Sequence, residues 1–217
     1  MPRYSVIVPH YDLTISDEHL LRALDCLHTQ TFRDFEVILL HDGPPSRPLP
    51  VSDQYDLIGD VVITDRRHND WGHTLRDLGM RRARGDYILH LNPDNVLYPF
   101  ALADIEEVLR EPFDPKMPRK AINDGSIAVF PVLMRGMRCN GRVAWRDKEH
   151  TERFLILSGW PALPGCIDCM QMVMLRSLWL SYGGWYDKSQ DSDGKMYSRF
   201  IQEHGASYVG RILGEHW

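Results

Sequence analysis

The constraint that most limits the fold is an alternation of short apolar runs with helical patterns across the first ninety residues. Tyr4-Ser5-Val6-Ile7-Val8-Pro9 is a β-branched run ended by proline, and Phe35-Glu36-Val37-Ile38-Leu39-Leu40 is a second run. Between them Ser16-Asp17 offers a helix N-cap, and Leu20, Leu21, Leu24 and Leu27 recur at helical spacing. Val61-Val62-Ile63-Thr64 reads as a third strand, His73 to Arg84 as a helix ended by Gly85, and Asp86 to Leu91 as a fourth strand. Such alternation implies an α/β chain with a mainly parallel central sheet covered by helices on both faces. In sheets of that kind ligands collect beyond the carboxyl ends of the strands. Four segments fall there: Pro9-His10-Tyr11, His41-Asp42-Gly43, Asp65-Arg66 and Asn92-Pro93-Asp94.

The second half is less regular. Leu102, Ile105, Val108 and Leu109 after Pro99 predict a helix, Glu111 to Gly125 a loop, and Ser126 to Met134 a strand. Residues 135 to 165 carry no clear period. Met170 to Leu175 reads as a strand, Arg176 to Tyr182 as a short helix, Asp191 to His204 as a helix, and Ser207 to Leu213 as a last strand. With 217 residues, 43% of them hydrophobic, one domain over 1–217 is expected.

A net charge of −5 argues against a protein that wraps nucleic acid, so an anionic partner must be met locally. One basic cluster, Arg66, Arg67, Arg76, Arg81, Arg82 and Arg84, could do this or form a solvated helix face. Cys166-Ile167-Asp168-Cys169 has metal-ligand spacing but no second pair, so free thiols are the simpler account than zinc. No run approaches the ~20 apolar residues of a membrane span, and the start of the chain lacks the apolar core of a signal peptide. A cytoplasmic protein without a transmembrane segment is expected.

Taken together, Ser5-Val6-Ile7-Val8-Pro9, Glu36-Val37-Ile38-Leu39-Leu40-His41-Asp42-Gly43, Arg76-Asp77-Leu78-Gly79, Ala83-Arg84-Gly85-Asp86-Tyr87-Ile88 and Leu91-Asn92-Pro93-Asp94-Asn95 resemble family 2 glycosyltransferases of the GT-A (Rossmann-like) fold. Gly183-Gly184-Trp185-Tyr186-Asp187 and Gln190-Asp191-Ser192-Asp193 look like the family's acceptor-side segment. The resemblance implies a nucleotide-binding half over 1–98 and an acceptor-side half over 99–217. It implies inverting transfer from a nucleoside-diphosphate sugar, a UDP-sugar by preference, to a carbohydrate acceptor.

The same resemblance distributes roles. Asn92, Pro93 and Asp94 stand where the family has an Asp-x-Asp motif, so Asp94 becomes the principal ligand of Mn2+ or Mg2+, with His216 as a second. Hard cations prefer charged oxygen ligands, and Asn92 supplies none. Pro9, His10, Tyr11 and Asp42 would border the nucleotide, Arg76 would reach the base or the phosphates, and Asn69 and Gly72 belong to the same approach. Asp168 would contact the donor. Asp191 takes the role of catalytic base, Asp193 being its competitor two residues on. For Asp42 a plain turn, and for Asp191 a helix N-cap, are the structural alternatives. Trp160, Trp179 and Trp185 read as core, with Trp185 also a candidate sugar platform. The substitutions at Asn92 and Gln190 also fit a catalytically weak nucleotide-sugar or glycan-binding relative. A sugar nucleotidyltransferase would want a glycine-rich, lysine-bearing loop after the first strand, which Pro9-His10-Tyr11-Asp12 does not provide. The chain also reads as one module of a larger multi-domain enzyme.

Overall fold

The computed structural model describes residues 1–51, 56–110, 125–135, 145–146 and 153–217. The first half follows the expected alternation: β1 (Tyr4–His10), α1 (Asp17–His28), β2 (Phe35–His41), β3 (Ile58–Ile63), α2 (His73–Arg82) and β4 (Tyr87–His90). β1 lies between β2 and β4 and is parallel to both, and β3 is parallel to β2. Alternate residues face opposite sides, so Val6, Val8, Val37 and Leu39 pack under α1, whereas Ile7, Ile38 and Leu40 pack under α2. Each such aliphatic side chain, fully buried, contributes about 1.5–3 kcal/mol before entropy is subtracted.

Local chemistry sets the helix starts. Ser16 Oγ accepts from the His19 amide at 3.3 Å, and Asp17 and Glu18 sit in the first turn of α1, where the macrodipole favours them. α2 begins after Gly72, whose φ of 79° is left-handed, and Asp70 accepts from both the amide and the hydroxyl of Thr74.

The second half completes the same sheet and adds another. Its elements are β5 (Asn95–Leu97), α3 (Ala101–Arg110), β6 (Ile127–Val129), β7 (Val132–Arg135), β8 (Trp145–Arg146), β9 (Arg153–Leu157), β10 (Met172–Leu175), α4 (Arg176–Ser181), α5 (Ser192–His204), β11 (Ser207–Tyr208) and β12 (Gly214–His216). The seven-stranded sheet runs β11-β6-β10-β4-β1-β2-β3, and β10 is antiparallel to both its neighbours. The mainly parallel, helix-covered sheet expected from the sequence is therefore present. It crosses residue 98 without a break, because β6, β10 and β11 extend what β1–β4 begin.

Several elements differ from expectation. The strand expected over 126–134 is two strands in two sheets, since Pro131 offers no amide to a ladder and the chain turns there from β6 into β7. The smaller sheet runs β5-β12-β7-β9-β8, and β5 follows directly on the Asn92-Pro93-Asp94 turn. The strand expected from Met170 starts at Met172, after a 3-10 turn over Cys169–Gln171 capped by Asp168. The last strand ends at Tyr208 rather than Leu213, and β12 follows separately. Most of the loop expected over Glu111 to Gly125 lies outside the described residues. Trp179 and Trp185 are core, as read, but Trp160 is exposed. Among the described residues no helix is long and apolar enough to cross a membrane.

β12 is held between β5 and β7, with Gly214 opposite Leu97 and His216 opposite Asn95. A Cβ on Gly214 would strike the Val96 carbonyl oxygen, closer than any real contact. Gly214→Ala is therefore expected to lower unfolding stability by about 2 kcal/mol or more in urea titration, through overpacking against backbone that cannot yield.

Candidate functional site

The carboxyl ends of β1, β2 and β4 open into a cavity of about 610 Å³. Of the residues singled out from the sequence, Pro9, His10, Tyr11, Asp42, Arg76, Asn92, Pro93, Asp94 and Asp168 all line it, together with Asn69, Gly72 and Trp185. Asp65 and Arg66 do not, and the following residues, Arg67 to Arg76, supply that wall instead. Asp191 and His216 lie off the cavity surface.

At one end, Asp42 accepts from the backbone amides of His68 at 2.8 Å and Asn69 at 3.2 Å. The carboxylate thereby pins the loop after β3 across the strand ends, which is more than the turn role its Asp-Gly-Pro context suggests. Gly43, at φ 88°, allows the approach, since a Cβ would lie 3.0 Å from the Arg67 amide nitrogen. Arg67 stacks its guanidinium 3.7 Å from the centre of the Tyr11 ring. His10 is buried with neither ring nitrogen hydrogen-bonded, and burial, with His41 alongside, lowers its pKa to about 4. It is neutral at physiological pH.

Arg76 forms the centre of the site. It is 3% exposed, and its guanidinium donates to Asn92 Oδ1 at 2.5 Å and to the Trp71 carbonyl at 2.7 Å, with Cys169 Sγ at 3.5 Å. The Trp185 ring lies 5.1 Å below it. Among the described residues no carboxylate is within ion-pair distance. A buried cation held only by neutral partners is costly, and it leaves a positive potential in the cavity wall. The carboxamide of Asn92 thus has a positive role: it fixes Arg76 without neutralising it. The neighbouring arginines fall to the solvated-face reading, because Arg81, Arg82 and Arg84 pair with Asp77, Asp60 and Glu36.

Acidic groups line the same cavity as Arg76. Asp94 is largely buried, its Oδ1 has no hydrogen-bond partner, and its pKa is raised by burial and by Asp168 against the opposing pull of His216. Asp168 Oδ2 lies 3.5 Å from His216 Nδ1, while its Oδ1 accepts from the Met170 amide and, at 3.4 Å, from Asn95 Nδ2. β12 holds His216 next to this pair, so the residue is anchored and not a loose tail residue. Among the described residues no three such side chains form a ready-made metal cluster. An unpartnered carboxylate oxygen beside a second carboxylate nonetheless fits a hard divalent cation whose remaining ligands come from phosphate oxygens and water.

Asp191, the base expected from the sequence, lies at the surface. Its side chain is half exposed and paired with Lys195 at 2.7 Å, one member of the outward stripe that continues with Arg199 and Glu203. Asp193 lines the cavity instead. Two residues turn a helix by about 200°, so the two carboxylates point to opposite faces. The sequence carries the signal: Asp193, Met196, Tyr197, Phe200 and Ile201 are spaced as a buried helical stripe, and the last four are core residues. Burial, followed by repulsion from Asp168, raises the Asp193 pKa to about 6.

His73 and Ser192 tie this segment down and had no obvious mark in the sequence. His73 Nε2 lies 3.0 Å from the Ser189 carbonyl and 3.2 Å from Ser192 Oγ, and Trp185 Nε1 donates to the same hydroxyl at 3.1 Å. The His73 ring stacks on Trp185 at 5.3 Å, and Trp185 stacks on Trp179 at 5.6 Å. Trp185 is 1% exposed, so it is a wall of the site and not an open platform. Cys166 and Cys169 are free thiols, and Cys139 lies outside the described residues.

The sequence matches the family described as Glycosyl transferase family 2 over residues 5–179. Similar curated proteins include "Uncharacterized glycosyltransferase EpsJ" of Bacillus subtilis, 30% identical over 95 residues, covering 44% of this chain and 27% of that protein. "Amylovoran biosynthesis glycosyltransferase AmsB" of Erwinia amylovora is 29% identical over 97 residues, covering 42% and 31%. The matched region thus spans less than a third of either relative. Among solved structures, S. aureus TarS 1-349 in complex with UDP-GlcNAc superposes with a TM-score of 0.71 at 15% identity, covering 99% of this chain and 58% of that one. The mannosyltransferase PcManGT from Pyrobaculum calidifontis, in complex with GDP-Man and Mn2+, gives 0.61 at 16% identity, covering 99% and 56%.

The raised pKa of Asp193 has a consequence for stability. Between its unfolded value of 3.8 and its folded value of about 6 the native state binds more protons than the unfolded state, so Asp193 makes stability fall as pH rises through that window. Asp193→Asn is expected to stabilise the free protein at pH 7.5, on the order of 1–3 kcal/mol, and to have little effect at pH 4. Urea unfolding at the two pH values measures the difference.

Proposed function

The chain belongs to glycosyl transferase family 2 and has the GT-A fold, and on that footing we propose that it transfers a sugar, with inversion, from a UDP-sugar to a carbohydrate hydroxyl. One observation carries this reading: the buried guanidinium of Arg76, with no carboxylate within ion-pair distance among the described residues, shares one cavity with the acidic pair Asp94 and Asp168. Such a wall calls for a ligand that is itself anionic and a cation that accompanies it, which is the chemistry of a metal-bound diphosphate. Structural neighbours bind UDP-GlcNAc and GDP-Man with Mn2+, so nucleotide sugars of more than one base occur on this fold.

The nucleoside occupies the β1–β2 end. There Tyr11 and Asp42 border the base, and the lone pairs of Asp42 not taken by the two amides accept the ring N-H of uracil. Pro9 and His10 form the apolar, neutral floor, and Arg76, fixed by Asn92 and Pro93, faces the phosphates. Asp94, with Asp168 and His216 beside it, would hold Mn2+ or Mg2+, which would supply positive charge to the departing diphosphate.

Asp193 is the base. As the acceptor oxygen bonds to the anomeric carbon, its proton passes to the Asp193 carboxylate while the bond to the diphosphate breaks and the nucleoside diphosphate leaves. A single displacement of this kind inverts the anomeric centre. The low-dielectric setting that raises the Asp193 pKa makes it a stronger base than an exposed carboxylate, and Arg76 retains its charge opposite the leaving group. Trp185, His73 and Ser192 hold the segment that carries Asp193, and Gln190 faces the same end.

Thermal shift with UDP-, GDP- and dTDP-sugars, with and without manganese, tests the donor class. Stabilisation by several degrees with UDP-sugars and manganese is expected, and no shift with any donor would sink the proposal. Asp193→Asn should lower transfer by at least ~100-fold while UDP affinity stays within about threefold. The wild-type rate should rise with pH up to about 6 and level off above it. Asp94→Asn should instead weaken manganese-dependent UDP binding by roughly tenfold or more.

A further inference from the structure

Trp71 combines two features that folding alone does not explain. It is 61% exposed while lining the cavity, and among the described residues no other large apolar side chain on that wall is open to this degree. Its backbone sits at φ 54°, in the left-handed region that a bulky residue adopts only under strain. Asn69, two residues earlier, shares this conformation at φ 55°, as asparagine tolerates. Gly72, one residue later, is left-handed at φ 79°. A left-handed position beside Gly72 could have been filled by glycine or asparagine at no such cost.

The strain is actively held. The Trp71 carbonyl accepts from Arg76 Nη1 at 2.7 Å, so the buried guanidinium grips the strained peptide from below. From above, Asp70 accepts from Thr74 and fixes the start of α2. The indole lies tilted at 6.2 Å from the His73 ring, and His73 reaches Ser189 and Ser192, next to Asp193. Through His73 the exposed ring is thus linked to the start of α5, where Asp193 sits. Among the described residues its aromatic contact is with His73, and its outer surface faces solvent.

We propose that Trp71 is the stacking platform for the pyranose ring of the carbohydrate acceptor, its strained backbone presenting the indole at the rim of the cavity so that the acceptor hydroxyl falls toward Asp193. This rests on the glycosyl-transfer reading above. A sugar ring has one face of C-H groups and a rim of hydroxyls, which suits a flat, amphipathic indole beside polar neighbours. Stacking places the ring while leaving its hydroxyls to be read by Gln190 and Asp193, so Trp71 sets acceptor affinity and not donor affinity.

The test uses the full chain with UDP and manganese present and a panel of methyl glycosides of glucose, galactose, mannose, rhamnose and N-acetylglucosamine. Binding is followed by saturation-transfer NMR and tryptophan fluorescence in wild type, Trp71→Phe and Trp71→Gly. At least one glycoside should bind wild type, lose affinity tenfold or more in Trp71→Gly, and stay within about threefold in Trp71→Phe. UDP affinity should be equal in all three. Trp71→Gly relieves the left-handed strain, so its Tm should equal or exceed that of wild type, which separates lost binding from lost folding. Equal glycoside binding by wild type and Trp71→Gly, no glycoside binding by a wild type that binds UDP, or a drop in UDP affinity matching the glycoside loss would each overturn the proposal. Failure of wild type to bind UDP overturns the glycosyl-transfer reading first, and the assignment of Trp71 with it.

Discussion

The buried guanidinium of Arg76 is the interaction on which the site depends. It comes from α2, and it touches the end of β4 through Asn92, the loop before its own helix through the Trp71 carbonyl, the turn before β10 through Cys169, and the Trp185 ring. Four separate stretches of chain are thus registered on one planar cation. The fork geometry of arginine allows this, because its donors point in fixed directions and a lysine could satisfy only a point contact. None of the partners is a carboxylate, so the charge survives its own burial and is available to whatever enters the cavity.

That choice has an energetic shape. An unneutralised cation, a carboxylate at Asp94 with an unpaired oxygen and a carboxylate at Asp193 with a raised pKa are each unfavourable for the free protein. They persist because two apolar layers hold the frame. One packs beneath α1 and α3, the other beneath α2, α4 and α5, and the aromatic stack of His73, Trp185 and Trp179 runs from the second layer into the cavity wall. Stability is concentrated in the sheet, and the strained and charged groups sit where the strands end. An anion would relieve the first of these terms, and a cation beside Asp94 the second.

Much of this was legible in the chain. The β-α-β alternation through Leu91 predicted the parallel strands, since an apolar run flanked by helical periods has few other solutions. Because ligand groups gather at strand ends, three of the four strand-end segments fall on one cavity, with Asp191 and His216 the named site residues that lie off it. Asp191 shows why the rest did not. Motif likeness pointed to Asp191 by neighbouring letters, whereas the helix stripe through Asp193, Met196, Tyr197 and Phe200 decides which carboxylate turns inward. Pro131 shows a second limit: a run of apolar residues from Ile127 to Met134 looks continuous, yet one missing amide divides it between two sheets.

The sequence by itself determined the layered α/β architecture and the strand ends that build the cavity, because these rest on short-range periodicity and local turn chemistry. Only the tertiary structure decided that Arg76 is buried with, among the described residues, no carboxylate at ion-pair distance, that Asn92 serves it, that His216 is clamped in β12 beside Asp168, and that Trp71 stands exposed on a strained backbone. Those facts depend on contacts between residues far apart in the chain, and the free energy of a charge or an unpaired oxygen is set by what surrounds it in space, which no spacing along the chain records.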